Sequence, residues 1–138
     1  MKIIKENIKN YIPQREPFIM VDNILDANAE KFQTDFTIFS DNIFLEGDKL
    51  SECALIENIA QSCAAGLFLI NMEKASKPLD GFIGGISKLF VFDLPKVGDT
   101  INTDVYFLHQ FANMYLMKGE VYLNKKKLLE CELKLAGL

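Results

Sequence analysis

Four polar side chains that could do chemistry lie close together in one apolar segment: Glu57, Asn58, Gln61 and Ser62. If the segment is helical, all four fall within roughly 140° of one another around the axis. A carboxylate on an apolar helix faces a cavity, is paired from elsewhere in the fold, or reaches water at an edge. The spacing makes Glu57 a candidate acid. Asn58 and Ser62 could bond a substrate hydroxyl, or merely each other.

The segment that must position these residues runs over residues 51–72 and has the features of a helix. Ser51 is a favoured N-cap residue, and Glu52 suits the positive end of the helix dipole. Leu50 and Leu55 have the spacing of a hydrophobic staple. No Lys, Arg or His occurs between residues 50 and 72, so no cation on the same helix can pair with Glu57. The segment is therefore predicted to be a long, buried helix.

Composition limits the class of protein. The 138 residues suit one domain, 1–138, and a hydrophobic content of 49% is ample for its core. A net charge of −4 argues against nucleic acid or anionic membrane as the main partner. Every apolar run of membrane-spanning length is interrupted by Asn, Gln or Glu, and the charged start does not resemble a signal peptide. Three scattered cysteines and one histidine predict reduced thiols in a cytoplasmic protein, with no metal site.

The remaining elements are predicted to be mostly strands, with a short amphipathic helix over residues 2–11. The predicted strands cover residues 18–25, 31–39, 81–92, 100–111, 114–123 and 127–135, and residues 40–50 are irregular. Alternation in the second strand places Phe32, Thr34, Phe36 and Ile38 toward the core. Gly84 and Gly85 lie inside a strand, which indicates close approach of another backbone or a ligand. The order predicts an α+β fold in which an antiparallel sheet wraps around one long central helix.

Three motifs, in this order, resemble the hot-dog 3-hydroxyacyl-[acyl carrier protein] dehydratases of the FabZ type. They are YIPQREPFIMVDNIL at 11–25, LIENIAQ at 55–61 and GGISKLFVFDLPKVGD at 84–99. The family versions are LPHRxPFLLVDRV, LxxEAxAQ and AGIDNARFxRPVxPGD. The family histidine of HFPGxPxMPG lies fourteen residues before the helix acid, which is Ile43 here since 57 − 14 = 43. The second family histidine, in the opening motif, is Gln14. The sequence therefore resembles the ApeP-like branch of aryl-polyene and flexirubin pathways, which lacks HFPG but keeps the helix Glu and Gln.

The resemblance implies a dimer in which strands equivalent to residues 81–92 pair across the two-fold axis, with an active site at each subunit boundary. A histidine of one subunit would remove the C2 proton of the substrate. Glu57 of the other subunit would protonate the departing 3-hydroxyl, with Gln61 orienting it. The substrate would arrive on the phosphopantetheine arm of an acyl carrier protein, with no other cofactor. The tunnel is expected to involve Gly84 and Gly85, and its depth to depend on Phe68, Phe82, Leu89 and Phe90. Candidate lysines for carrier-protein docking are Lys74, Lys77, Lys88 and Lys118.

The missing histidine leaves the identity of the base open. His109, the only histidine, is the simplest replacement because it titrates near neutral pH, or it is a sheet-end residue that bonds solvent or backbone. Loop carboxylates and one helix-start thiol are the other candidates: Asp41, Glu46, Asp48 and Cys53. Three functions follow: a dehydratase with an unusual base, a degenerate acyl-binding subunit that pairs with a complete dehydratase, or a hot-dog thioesterase whose helix carboxylate activates water. Homodimer and heterodimer with another hot-dog subunit both remain open.

Overall fold

The computed structural model describes residues 2–3, 5–71 and 81–136. The elements in chain order are a 3₁₀ helix over Lys5–Asn10, strands β1 (Asn23–Ala27), β2 (Lys31–Thr37), β3 (Leu45–Glu46) and β4 (Lys49–Leu50), helix α1 (Glu52–Ile70), and strands β5 (Phe82–Val91), β6 (Thr100–Phe111), β7 (Met114–Leu123) and β8 (Lys126–Ala136). The predicted cap of the long helix is confirmed, since the Ser51 side chain accepts a hydrogen bond from the Ala54 N–H.

Six antiparallel strands form one sheet in the order β1-β2-β6-β7-β8-β5, and β3 and β4 form a separate small hairpin. Helix α1 packs against five strands of the sheet, which confirms the predicted hot-dog architecture. Two glycines allow the close packing of helix and sheet. A Cβ on Gly66 would lie 2.3 Å from the ring of Phe32, and a Cβ on Gly119 would lie 2.4 Å from Ile59. Each glycine therefore leaves room for a large side chain from the facing element.

The core lies between α1 and the inner face of the sheet. The predicted inward residues of β2 and its continuation are all buried, with Phe32 and Ile38 fully inaccessible. Helix α1 is long and apolar enough, by length and composition, to cross a membrane, but most of it is buried inside the domain. Since the sheet encloses it, α1 is the core helix of a globular fold.

The N-terminal region differs from the prediction. The expected helix over residues 2–11 is wrong in type and length, because among the described residues of this segment only Lys5–Asn10 is helical, and that element is a 3₁₀ helix. Ile3 instead exchanges two backbone hydrogen bonds with Ile24. The strand predicted over residues 18–25 begins only at Asn23, because side chains of α1 bond the backbone of Phe18 and Met20.

Strand β5 forms one edge of the sheet and is unusually apolar for an edge. Large hydrophobic side chains are exposed along it and just beyond its end: Phe82, Ile86, Leu89, Phe90, Val91 and Phe92. An edge strand with unpaired backbone groups and exposed hydrophobic side chains favours pairing with another chain. Glu57 and Gln61 of α1 line a cavity together with the first residues of this edge strand.

Candidate active site

Glu57 and Gln61 are four residues apart on α1, so they lie on the same face of the helix. Gln61 Nε2 donates a hydrogen bond of 2.9 Å to Glu57 Oε1. Gln61 is almost fully buried, whereas Glu57 is partly exposed. The structure thus brings the predicted acid and the residue predicted to orient it into direct contact.

The orientation of the Gln61 amide is fixed by its other partners. Its Oε1 accepts from the backbone N–H of Met20 at 2.8 Å, and its Nε2 also donates to the carbonyl of Phe18 at 2.9 Å. Since a backbone N–H can only donate, the amide oxygen must face Met20 and the NH₂ group must face Glu57. Glu57 is therefore held through its Oε1 atom, and its other oxygen has no part in this contact.

A cavity of about 270 Å³ lies beside this pair, between α1 and the beginning of β5. Its volume is near the lower end of ligand sites, which span roughly 300–1,000 Å³. Ala60 and Ala64 of α1 are small and leave space for the cavity, and β5 contributes apolar side chains to its wall. The lining consists of Gln14, Glu57, Ala60, Gln61, Ala64, Gly81, Phe82, Ile83 and Leu135. Of the predicted site residues, Glu57, Gln61 and Phe82 meet here.

Asn58 and Ser62 lie in a buried polar network instead of at the cavity. The Asn58 side chain donates to the carbonyl of Met20 at 2.7 Å and accepts from the Thr103 hydroxyl at 2.6 Å. The Ser62 hydroxyl donates to the Asn58 carbonyl and lies 2.7 Å from the hydroxyl of Thr34. Both side chains are fully buried, so the geometry favours the structural role that the sequence left open.

Phe68 and the strand glycines also lie away from the cavity lining. Phe68 is buried and packs edge-on against Tyr11, with ring centroids 5.8 Å apart. A Cβ on Gly84 or Gly85 would meet only ordinary contacts, with nearest atoms at 3.6 and 3.7 Å. The packing of the described residues therefore does not require glycine at either position.

His109 is on the other side of the sheet from Glu57. It pairs with Leu116, which pairs with Lys134, and residues opposite each other in register share a face. Lys134 is exposed between the buried Leu133 and Leu135, so it points away from α1. His109 therefore lies on the outer face, and the fold of a single chain does not bring it to the cavity.

The other candidate bases do not line the cavity either. Asp41, Glu46 and Asp48 are exposed in the loop before α1, and Cys53 is an exposed free thiol. The thiols of Cys63 and Cys131 are buried, and burial raises the pKa of Cys131 to about 11 and that of Cys63 further. The described part of the chain contains no cluster of His, Cys, Asp and Glu that could hold a metal ion.

Two of the lysines proposed to meet a carrier protein form ion pairs on the sheet. Lys88 lies 3.3 Å from Glu132, and Lys118 lies 4.0 Å from Glu130. Lys74 and Lys77 lie outside the described residues. Exposed pairs of this kind contribute little free energy, so both lysines can change partner at low cost.

Five lining residues were not predicted from the sequence to belong to the site: Gln14, Ala60, Ala64, Ile83 and Leu135. Ala60 and Ala64 carry a detectable signal, because they are small residues spaced i and i+4 beside Glu57 on the helix. Gln14 carries a different signal, since it occupies the position of the second family histidine. Ile83 and Leu135 are neighbours in the sheet register, a relation that only the pairing of β5 with β8 creates.

Comparison with known proteins agrees with the hot-dog fold. The family model described as "ApeP-like: ApeP dehydratase" matches residues 6–137. The 3-hydroxyacyl-[acyl-carrier-protein] dehydratase FabZ of Petrotoga mobilis is 28% identical over 119 residues, 83% of each chain. FabZ of Clostridium kluyveri is 29% identical over 134 residues, 93% of this chain and 91% of the relative. A chain of "The Dehydratase Heterocomplex ApeI:P from Xenorhabdus doucetiae" superposes with a TM-score of 0.86 at 18% identity, over 95% of this chain and 90% of that one.

Proposed function

The chain belongs to the ApeP-like dehydratase family, and we propose that it supplies the acid half of a site that dehydrates 3-hydroxyacyl thioesters. One observation carries the proposal. Gln61 holds Glu57 at a cavity beside the sheet edge, while His109, the only histidine in the sequence, lies on the opposite face of the sheet. The acid and its support are present, and the histidine base of the FabZ type is absent from the same chain.

The proposed chemistry is elimination of water across C2 and C3. A base takes the C2 proton, the C2–H electron pair forms the C2–C3 double bond, and the C3–O bond breaks. The acid form of Glu57 donates its proton to the departing hydroxyl, which leaves as water. Because Glu57 Oε1 accepts from Gln61, the proton resides on Oε2, the oxygen free to face the substrate. Transfer of a proton from the protonated base to the Glu57 carboxylate then returns both groups to their starting forms.

The base would come from a second hot-dog subunit that pairs along β5. The exposed hydrophobic side chains of this edge support such pairing, and the cavity holding Glu57 is lined by the first residues of the same strand. The superposed Xenorhabdus doucetiae protein is described as a dehydratase heterocomplex. A partner that brings a histidine would complete the site. The substrate would be an acyl chain on the phosphopantetheine arm of a carrier protein, in the cytoplasm.

A gain-of-function variant tests the proposal without a foreign partner. Ile43 is exposed and occupies the family histidine position, so Ile43→His supplies a base to the second copy in a homodimer. Dehydration of a 3-hydroxyhexanoyl pantetheine thioester is followed by enoyl absorbance, and thiol release is followed in parallel. We expect the wild-type protein to be roughly 10²–10⁴-fold slower than Ile43→His, the usual contribution of a positioned base. Ile70→His, an exposed position at the far end of α1, is the matched control.

The gain should disappear in the Ile43→His, Glu57→Gln double variant and persist in Ile43→His, His109→Ala. Wild-type turnover as fast as that of an active Ile43→His variant would contradict the half-site, because it would place a working base within this chain. Thiol release without enoyl formation, lost in Glu57→Gln, would assign a thioesterase instead.

A further inference from the structure

The cavity beside Glu57 contains a polar atom that the proposed function has not used. The side-chain oxygen of Gln14, Oε1, is buried and has no hydrogen-bond partner among the described residues. The residue lines the same cavity as Glu57 and Gln61. Buried polar atoms without partners are rare in folded proteins, and one carried by a residue that lines a cavity indicates a ligand with a hydrogen-bond donor.

The backbone that carries Gln14 is held in place by its neighbour. Arg15 Nη1 donates to the carbonyl of Ile12 at 3.0 Å and to the carbonyl of Gln14 at 2.7 Å. Ile12 is fully buried, so the segment before Gln14 is anchored in the core. On the other side, Gln61 bonds the backbone of Phe18. The backbone of the segment that carries Gln14 is thus hydrogen-bonded on both sides of this residue.

A hydroxyl group has the hydrogen-bonding capacity that the ligand of this site requires. A hydroxyl has one donor hydrogen and two acceptor lone pairs. In the proposed reaction the acid form of Glu57 donates to the hydroxyl oxygen, so the hydroxyl hydrogen needs a separate acceptor. The oxygen of Gln61 is already occupied by Met20, whereas Gln14 Oε1 is an unpaired acceptor on a residue that lines the cavity. We infer that Gln14 accepts the hydrogen bond of the substrate's 3-hydroxyl group and so selects 3-hydroxyacyl chains over acyl chains that lack the hydroxyl.

This inference rests on the proposed function, and a binding measurement separates the two. The probes are the pantetheine amides of 3-hydroxyhexanoate and hexanoate, whose amide linkage replaces the reactive thioester. Glu57, Gln61 and Gln14 are on one chain, so the full-length protein purified alone is titrated by NMR. We expect the wild-type protein to bind the hydroxylated amide roughly 5- to 10-fold more tightly, the effect of one hydrogen bond. In Gln14→Leu the ratio should fall several-fold, to the preference that the contact of the hydroxyl with Glu57 alone provides.

Gln33→Leu is the matched control, because Gln33 bonds Asp104 on the outer face of the sheet and should leave the ratio unchanged. A melting curve gives a second readout. Since Gln14→Leu removes a buried oxygen that has no protein partner, its melting temperature should equal or exceed that of the wild type.

Each result has a distinct meaning. Equal wild-type affinity for the two amides would overturn the role of Gln14 and leave acyl binding by the cavity intact. A preference that survives undiminished in Gln14→Leu would overturn it as well, and so would a fall in the melting temperature that accompanies loss of binding to both amides. Wild-type protein that binds neither amide would refute the proposed function together with the inference.

Discussion

Replacing Gln61 with leucine tests whether one side chain both supports the fold and positions the acid. Three hydrogen bonds disappear in Gln61→Leu: those to the Met20 N–H, the Phe18 carbonyl and Glu57 Oε1. Met20 is fully buried, so its N–H is left without a partner, whereas Phe18 is exposed and its carbonyl can bond water. Leucine fills much of the volume of glutamine, so no large cavity forms.

The expected loss in the free energy of unfolding is about 1–3 kcal/mol, the usual penalty of one unpaired buried N–H group. A domain with about 5–15 kcal/mol of stability remains folded after such a loss. The catalytic loss should be larger in relative terms, because Glu57 is no longer held at one orientation. We expect turnover to fall roughly 10- to 100-fold, the range that a small misplacement of a reacting group produces.

Urea unfolding and enoyl formation in the Ile43→His background measure the two effects separately. Gln61→Glu is the informative companion, because its carboxyl group still accepts from the Met20 N–H but places a second buried acid against Glu57 and the Phe18 carbonyl. It should therefore lose the activity and at least as much stability as Gln61→Leu, since the buried acid must be desolvated beside a like charge. If Gln61→Leu unfolds at the wild-type urea concentration and turns over at the parental rate, the assignment of Gln61 as support for the acid is refuted.

Three further predictions address the packing, the edge and a buried carboxylate. Gly66→Ala should destabilise the domain by about 1–2 kcal/mol in urea unfolding, since the new Cβ would meet an aromatic ring at 2.3 Å, whereas Gly84→Ala should leave stability unchanged. Ile86→Lys places a charge on the exposed edge and should shift sedimentation from dimer to monomer without altering the circular dichroism spectrum. Burial raises the pKa of Asp22 above its ordinary 3.8. The folded state thus binds the Asp22 carboxyl proton more tightly than the unfolded state does. The stabilisation that results is present below pH 3.8 and is lost as the pH rises through the raised pKa of Asp22. Asp22→Asn should therefore lose less stability than wild type between about pH 4 and neutrality in urea unfolding across a pH series.

The local pattern of apolar and polar residues was sufficient to predict the later strands and the central helix. The bounds predicted for β6 and β7 match the structure, and β5 and β8 differ by one residue at either end. These strands alternate apolar and polar residues between clear turns, and their pairing partners are adjacent along the chain for β6, β7 and β8. Where neighbours in sequence are neighbours in space, a local signal carries the information needed.

Long-range contacts explain what the pattern could not predict. The segment around Met20 looks like a strand, but its backbone groups bond side chains of Asn58 and Gln61, which are 38 and 41 residues away. A separation of 28 residues likewise hides the role of Ser62, whose partner Thr34 lies on β2. A polar sector on a helix looks alike in sequence whether it faces a cavity or a buried network. Only the position of the sheet determines that Glu57 lies at the cavity, whereas Asn58 lies in the buried network.

The most direct test of the half-site is complementation between two inactive proteins. The Ile43→His, Glu57→Gln double variant carries a base without the acid, and the wild-type chain carries the acid without the base. Co-expressed copies with different tags are purified in tandem, and mixed dimers are confirmed by native mass spectrometry. If the acid of one chain works with the base of another, mixed dimers should dehydrate the 3-hydroxyhexanoyl thioester roughly 10²-fold faster than either parent. Confirmed mixed dimers that turn over no faster than the parents would contradict the assignment of Glu57 as the acid of a shared site.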